Sequence, residues 1–274
     1  MRVVMKLVKR NPLSVPAALV VVLLFVSAIF APQLATHQPN RQDFVRVLQP
    51  PSAENYLGTD ELGRDIYSRV VYGARISVTV GILAVALGGL VGVGAGLLAG
   101  FFGGLTDTVI MRIVDVLLAF PGILLAILIA TALGAGLVPI IIAVALYSVP
   151  TFARVMRGSV LSVRNTEYVE AARAAGARNV RVLFAHVFRN SFGPVLVYAT
   201  LLMGSAILTA AALSFLGVGI APPTSEWGAM ISAARNHMRM APHIIIGPGG
   251  AIFLTVLAFN ILGDTLRDAL DPRK

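Results

Sequence analysis

Residues 76–101 read ISVTVGILAVALGGLVGVGAGLLAGF, and none of them is charged. A helix rises about 1.5 Å per residue, so roughly 20 apolar residues cross a hydrocarbon core of about 30 Å. This stretch is long enough to cross. Glycine also recurs in it at every fourth position, at Gly88, Gly92, Gly96 and Gly100, with Gly104 next in register. Residues four apart share one helix face. A stripe of small residues lets two backbones approach closely in lipid. The stretch therefore predicts a membrane-spanning helix with a glycine packing seam; the same seam would also suit a helix that slides or rocks.

Outward from that helix, other charge-free gaps repeat the pattern. Spans are expected near Leu13–Ala31, closed by Pro32, and near Phe192–Leu216, ended by Gly217-Val218-Gly219. Another is expected near Ile244–Leu262. The gap between Asp115 and Arg154 is too long for one helix, and Gly134-Ala135-Gly136 with Pro139 offers a hairpin inside it. It is read as two spans, Val116–Leu133 and Leu137–Phe152, with Pro121 and Pro150 permitting bends. The expectation is an all-α polytopic membrane protein with six transmembrane helices. The composition agrees: 57% of the 274 residues are hydrophobic and 13% charged, against about a quarter charged in soluble chains. The mean hydropathy is +0.84. A basic start (Arg2, Lys6, Lys9, Arg10) before the first span would also suit a cleaved signal peptide, but the long apolar run favours an uncleaved anchor.

Six spans put both termini on one side. If that side is the cytoplasm, the inner segments hold fifteen Lys and Arg and the outer segments seven. The inner set comprises the N-terminal four, Arg112, the arginines from Arg154 to Arg189, Arg267, Arg273 and Lys274. The positive-inside rule then gives N-in, C-in. The net charge of +9 is thus mostly topology, and no nucleic-acid motif accompanies it.

Several chemistries are excluded. There are no cysteines, so no thiolate chemistry. There is no Walker A sequence, and the lysines are Lys6, Lys9 and Lys274 alone. His37, His186, His237 and His243 form no zinc-binding spacing. No catalytic, cofactor or metal residues are assigned. The span interiors lack the buried acids and histidines that hold a coupling ion. Asp107, Arg112 and Asp115 sit at the turn after the glycine helix, where Arg112 and Asp115 are spaced for a helix-surface pair. Energy is expected to enter from outside the chain.

The loop between the fourth and fifth spans, residues 154–190, is built for docking. Thr166–Ala175 (TEYVEAARAA) is strongly helix-forming with an acidic first turn, and Asn165 or Thr166 is placed to cap it. Gly176 is the expected stop. Asn179 is placed to cap a second helix, Val180–Phe188, with Val180, Leu183, Phe184 and Val187 as its apolar side. An apolar face on an exposed loop requires a groove in a partner or in its own bundle.

Glu170-Ala171-Ala172, then Gly176, then the helix running to Asn190, resembles the EAA loop of ATP-binding-cassette importer permeases. Leu57–Asp65 (LGTDELGRD) with Ser68-Arg69 and Gly73–Ser77 is similar to the pre-span signature of the peptide/nickel branch. So are Met111-Arg112 with Asp115 through Pro121, Ala212–Gly217 with Pro222-Pro223 and Trp227-Gly228, and Gly263-Asp264 with Leu266–Pro272. Nearly the whole chain resembles the C-type permease of the dipeptide/oligopeptide/nickel family. One departure is His186–Asn190 (HVFRN), where Arg189 replaces the usual proline and Phe188 the usual leucine, so that the helix is expected to run smoothly into the fifth span.

The resemblance implies a type I ABC importer fold (MetI-like). Residues 1–75 would form a tail, first helix and extracytoplasmic segment, and residues 76–274 a five-helix core. It implies a homologous second permease, two ABC ATPase subunits that carry the ATP and Mg, an extracytoplasmic substrate-binding protein, and membrane lipid. Glu167, Glu170, Ala171, Ala172, Gly176, Val180, Leu183 and Phe184 are the expected ATPase-coupling residues. The cargo would be di- or oligopeptides, or else nickel or another small solute. A stand-alone channel or secondary carrier is the reading from a different class. Residues 33–75 are either a membrane-surface elbow or a receiving surface for the binding protein.

Overall fold

The computed structural model describes residues 11–270, and they fold entirely as helices and connecting loops apart from one isolated bridge between Thr59 and Asp65. Arg2, Lys6, Lys9, Arg10, Arg273 and Lys274, which entered the topology argument, lie outside the described residues. The order is α1 (Ser14–Ile29), α2 (Ala31–Leu34), α3 (Ile66–Phe102), α4 (Gly104–Ala119), α5 (Gly122–Leu133) and α6 (Leu137–Val163), then α7 (Glu167–Ala174) and α8 (Asn179–Arg181). A π-helical segment, Val182–Phe188, joins α8 to α9 (Arg189–Ser191). The chain ends with α10 (Gly193–Phe215), α11 (Trp227–Ala234) and α12 (His243–Leu270).

Four helices, α3, α6, α10 and α12, are long and apolar enough to cross a membrane. The pair α4–α5 passes the same test together but bends by 91°. The bend has a local cause. Phe120 precedes Pro121 and is extended (φ −83°, ψ 135°), as the proline ring demands of its predecessor. Pro150, by contrast, sits inside α6 without ending it. The helix α1, at 16 residues, is shorter than the other spans. Against an expected six, the described residues give four such helices, or five with the bent pair taken as one span, and α1 falls short of that length. The helix α3 also starts ten residues before the expected Ile76, at Ile66, and runs unbroken through Arg75.

The glycine seam lies against α6. A Cβ placed at Gly88 would meet Ser148 Oγ at 1.9 Å, at Gly92 the Val149 carbonyl at 2.5 Å, at Gly96 the Ala153 carbonyl at 2.2 Å, and at Gly100 Val160 at 2.8 Å. Only glycine permits this spacing. Gly104 does not belong to the seam: nothing lies within 4 Å of a Cβ there, and its φ of +53° makes it half of a left-handed joint with Gly103 (φ +66°). The α3 helix has ended by then, so the register that placed Gly104 on the ridge is broken. Arg164 donates to the freed carbonyl of Gly100 at 2.7 Å.

Beyond that joint, α4 buries only Val114 and presents Leu105, Val109 and Ile113 outward. Arg157 on α6 grips Asp107 through two bonds of 2.6 Å, and Arg154 pairs with Asp115 at 2.7 Å. Asp115, spaced to reach Arg112 on its own helix, thus pairs across helices.

Candidate functional site

The loop between α6 and α10 folds as the sequence pattern requires. Thr166 is the N-cap position of α7, although its hydroxyl donates back to Val163 rather than capping. Gly176 takes φ +84°, its N–H donates to Arg173 O (2.9 Å), and Ala177 N–H donates to Ala172 O (3.1 Å). This is the Schellman arrangement, which satisfies the last carbonyls of a helix and needs a left-handed residue. The second helix starts one residue earlier than expected, with Asn179 inside it and no side-chain cap. It then unwinds into the π-helical segment and continues through Arg189 to Ser191.

The π winding changes which residues share a face. Val182, Leu183 and Val187 are buried with Val169 of α7 against Val160 and Phe101 at the bundle's end. Val180 and Phe184 are 66% and 57% exposed. The apolar side expected for Val180, Leu183, Phe184 and Val187 is therefore split: Leu183 and Val187 anchor the loop to its own bundle, while Val180 and Phe184 face outward. Glu167, Glu170, Ala171 and Gly176 are exposed, and Ala172 is half-buried. Arg173 lies over the Phe101 ring at 5.7 Å, a further tie to α3. One face of this helix–turn–helix is packed onto the bundle. The other presents two acids, two small alanines and the exposed side chains of Val180 and Phe184, the Phe184 ring lying edge-on to Phe188 with 6.3 Å between centroids.

The opposite end of the bundle is held by buried charge. Asp60 and Arg64, 7% and 5% exposed, bond at 2.6 Å, and Arg64 also reaches Glu61 at 2.9 Å. Residues 60–65 form a turn that leads into Asp65, the N-cap of α3, which accepts from Ser68 N–H at 2.8 Å. Asn55 donates to the same carboxylate at 2.8 Å. Arg69 donates to Pro39 O, Asn40 Oδ1 and Pro223 O, tying two loops to α3. Asp60, Arg64, Asp65 and Arg69 are buried within this segment. Glu226, only 3% exposed, caps α11 through Gly228 N–H (2.9 Å) and Ala229 N–H (2.7 Å). Burial pushes its carboxyl above the usual range, and the two backbone donors partly oppose this. Trp227 beside it donates to Val70 O at 2.9 Å. No sequence periodicity marks these ties; the one local hint is an acid directly before Trp227-Gly228.

Residues 92–274 match the family described as the binding-protein-dependent transport system inner membrane component. Residues 1–51 match the N-terminal TM domain of oligopeptide transport permease C. The chain is 49% identical, over 266 residues, to the glutathione transport system permease protein GsiD of Escherichia coli O6:K15:H31, covering 97% of this chain and 88% of the relative. The protein of the same name from Shigella boydii serotype 4 matches to the same extent. Among solved structures, a chain of the MetNI methionine ABC transporter in an inward facing conformation superposes with a TM-score of 0.59 at 16% identity, covering 74% of this chain and 97% of that one. A chain of an amino acid ABC transporter crystallised with histidines gives 0.58 at 17%, covering 74% and 94%. At such identities these two structures speak to the fold alone.

Proposed function

The chain belongs to the binding-protein-dependent ABC transport permeases, in the dipeptide/oligopeptide/nickel branch, and on that premise we propose that it forms the membrane path of an importer of small peptides, worked through its α7–α8 loop. As a permease subunit it is not an enzyme; nucleotide is bound and hydrolysed by separate ATPase subunits. The peptide reading draws on the relatives named for glutathione, itself a small peptide. The proposed assembly has a homologous second permease, two ATPases below the loop and a substrate-binding protein at the elbow end. The proposed topology is N-in, C-in with six crossings. In it α1 spans about 24 Å at 1.5 Å per residue, short enough that the bilayer must thin or flanking residues must reach the interface.

The observation that carries the coupling role is the exposed Val180–Phe184 pair on a loop whose other face is fixed to the bundle. An apolar helix face of this kind is satisfied by a groove in a partner. Because Leu183, Val187 and Val169 anchor the loop, displacement of that face is passed to α3 and α6 as a rigid-body movement. Glu167, Glu170, Ala171, Ala172 and Gly176 complete the contact surface. The natural chain has no cysteine, so Val180→Cys and Phe184→Cys each give a single reactive site. Both are expected to crosslink to a co-expressed ATPase in membranes. Absence of any crosslink while solute uptake persists, or solute flux through the purified chain alone in liposomes, would overturn the reading.

A further inference from the structure

Two cavities flank the α6–α10 pair, and their chemistry differs. One, of about 480 Å³, lies between α3 and α10 and is apolar throughout, with Leu90, Val93, Phe184, Phe188 and Phe192 among its walls. That is a surface suited to lipid tails. The other, of about 670 Å³, opens between α6, α10 and the end of α12, and it carries Ser159, Ser162, Asn190, Tyr198 and Arg267. These polar side chains lie where α6 and α12 end and α10 begins, next to the α7–α8 loop. The second cavity is also of the size that holds small ligands.

Its donors are not equivalent. The Ser159 hydroxyl donates a hydrogen bond to Ser191 O (2.8 Å), the Ser162 hydroxyl to Ser159 O (2.7 Å), and Asn190 Nδ2 to His186 O (2.7 Å). Arg267 makes no ion pair or hydrogen bond with any described residue. The cavity therefore offers one exposed cation that is unpaired among the described residues, beside walls that are otherwise apolar or already bonded.

We propose that this polar cavity is the loop-end section of the solute path in this subunit, and that Arg267 makes it a subsite for a carboxylate. The inference rests on the importer reading above and extends it: the favoured cargo carries a free carboxylate, which Arg267 meets as it leaves. Guanidinium is suited to this because its planar fork matches a carboxylate with two donors.

The test uses the assembled transporter in phosphatidylcholine nanodiscs without nucleotide. Ser159→Cys is labelled with thiosulfonate reagents of opposite charge, and Leu90→Cys in the apolar cavity serves as the control. Ser159→Cys is expected to react well ahead of the control and faster with the anionic reagent. Arg267→Gln should lower the anionic-to-cationic rate ratio by roughly fivefold, the order expected of one nearby charge in a wet site, and Arg267→Lys should retain most of it. In the uptake arm, a dipeptide should be preferred over its C-terminal amide, and Arg267→Gln should erase that preference.

The proposal falls if Ser159→Cys reacts no faster than Leu90→Cys, or if Arg267→Gln leaves the reagent ratio unmoved. It also falls if added phosphatidylglycerol abolishes labelling, since a lipid headgroup is then the occupant. A complex that moves no peptide at all removes the peptide reading of the previous section, while the reagent ratio still reports on the subsite.

Discussion

Replacement of Gly176 isolates the mechanical role of the loop from its packing. A Cβ there meets nothing within 4 Å, so Gly176→Ala introduces no clash. It does force an L-residue to hold φ +84°, which costs roughly 1–2 kcal/mol. Gly176→Asn should cost less, because asparagine visits the left-handed region more readily. Gly176→Pro cannot form the turn at all: its φ is fixed near about −65°, and it lacks the N–H that donates to Arg173. The natural glycine and these three variants thus form a ladder of turn stability without touching the buried anchors Val169, Leu183 and Val187. A loss of about 1–2 kcal/mol changes a local equilibrium by roughly 5–30-fold.

The assay is solute taken up per ATP hydrolysed by the reconstituted transporter, with size-exclusion behaviour in detergent as the check on folding. Expected uptake per ATP is highest for glycine, then asparagine, then alanine, and is at background for proline. Hydrolysis should persist throughout, because no nucleotide site is altered. Normal uptake per ATP by Gly176→Pro, in a protein that folds and inserts normally, would refute the claim that this turn transmits force.

Further expectations concern the bundle. Gly96→Ala should destabilise the α3–α6 seam by about 1–3 kcal/mol, because its Cβ would lie 2.2 Å from a backbone carbonyl that cannot rotate away, whereas Gly94→Ala, in open space, should leave thermal unfolding in detergent unchanged. Glu226 has its folded pKa raised by burial, so the native state holds its proton more tightly than the unfolded chain does. Its stabilising contribution is present at acid pH and is lost as pH rises from the ordinary carboxylate range through the raised value. Unfolding temperature measured across that window should therefore fall less for Glu226→Gln, which keeps one capping acceptor, than for the natural chain. Asp107→Asn should cost about 1 kcal/mol through loss of the paired bonds to Arg157, and the reciprocal swap Asp107→Arg with Arg157→Asp should recover part of it in a double-mutant cycle.

Why some of this was readable from sequence and some was not follows from the range of the forces involved. The spans are set by a solvent that admits no unpaired backbone, so charge-free runs near the crossing length had to become helices, and α6, α10 and α12 all begin within two residues of expectation. The Gly88–Gly100 seam and the Gly176 turn were legible for a related reason: each is a local spacing or a local conformational demand that few residues can meet. Gly104 shows where spacing stops being informative, since a ridge has meaning only while the helix continues.

The loop's apolar face differs from expectation because a period of 3.6 does not hold in a segment that winds as a π-helix, which packs its Val182, Leu183 and Val187 with Val160 and Phe101. The struts at the other end were invisible for the opposite reason. Arg69 reaches Pro223 across 154 positions, and Trp227 reaches Val70 across 157. Neither distance leaves a pattern along the chain. The same holds for Arg267: on the sequence it is one more basic residue near the end of a span, counted for topology, and only the fold places it in one cavity with Ser159 and Tyr198, unpaired among the described residues. What the sequence conveys well is what each residue requires of its neighbours and its solvent; what it withholds is which distant residue satisfies the requirement, and the exposed Val180, Phe184 and Arg267 are the side chains on which the functional reading rests.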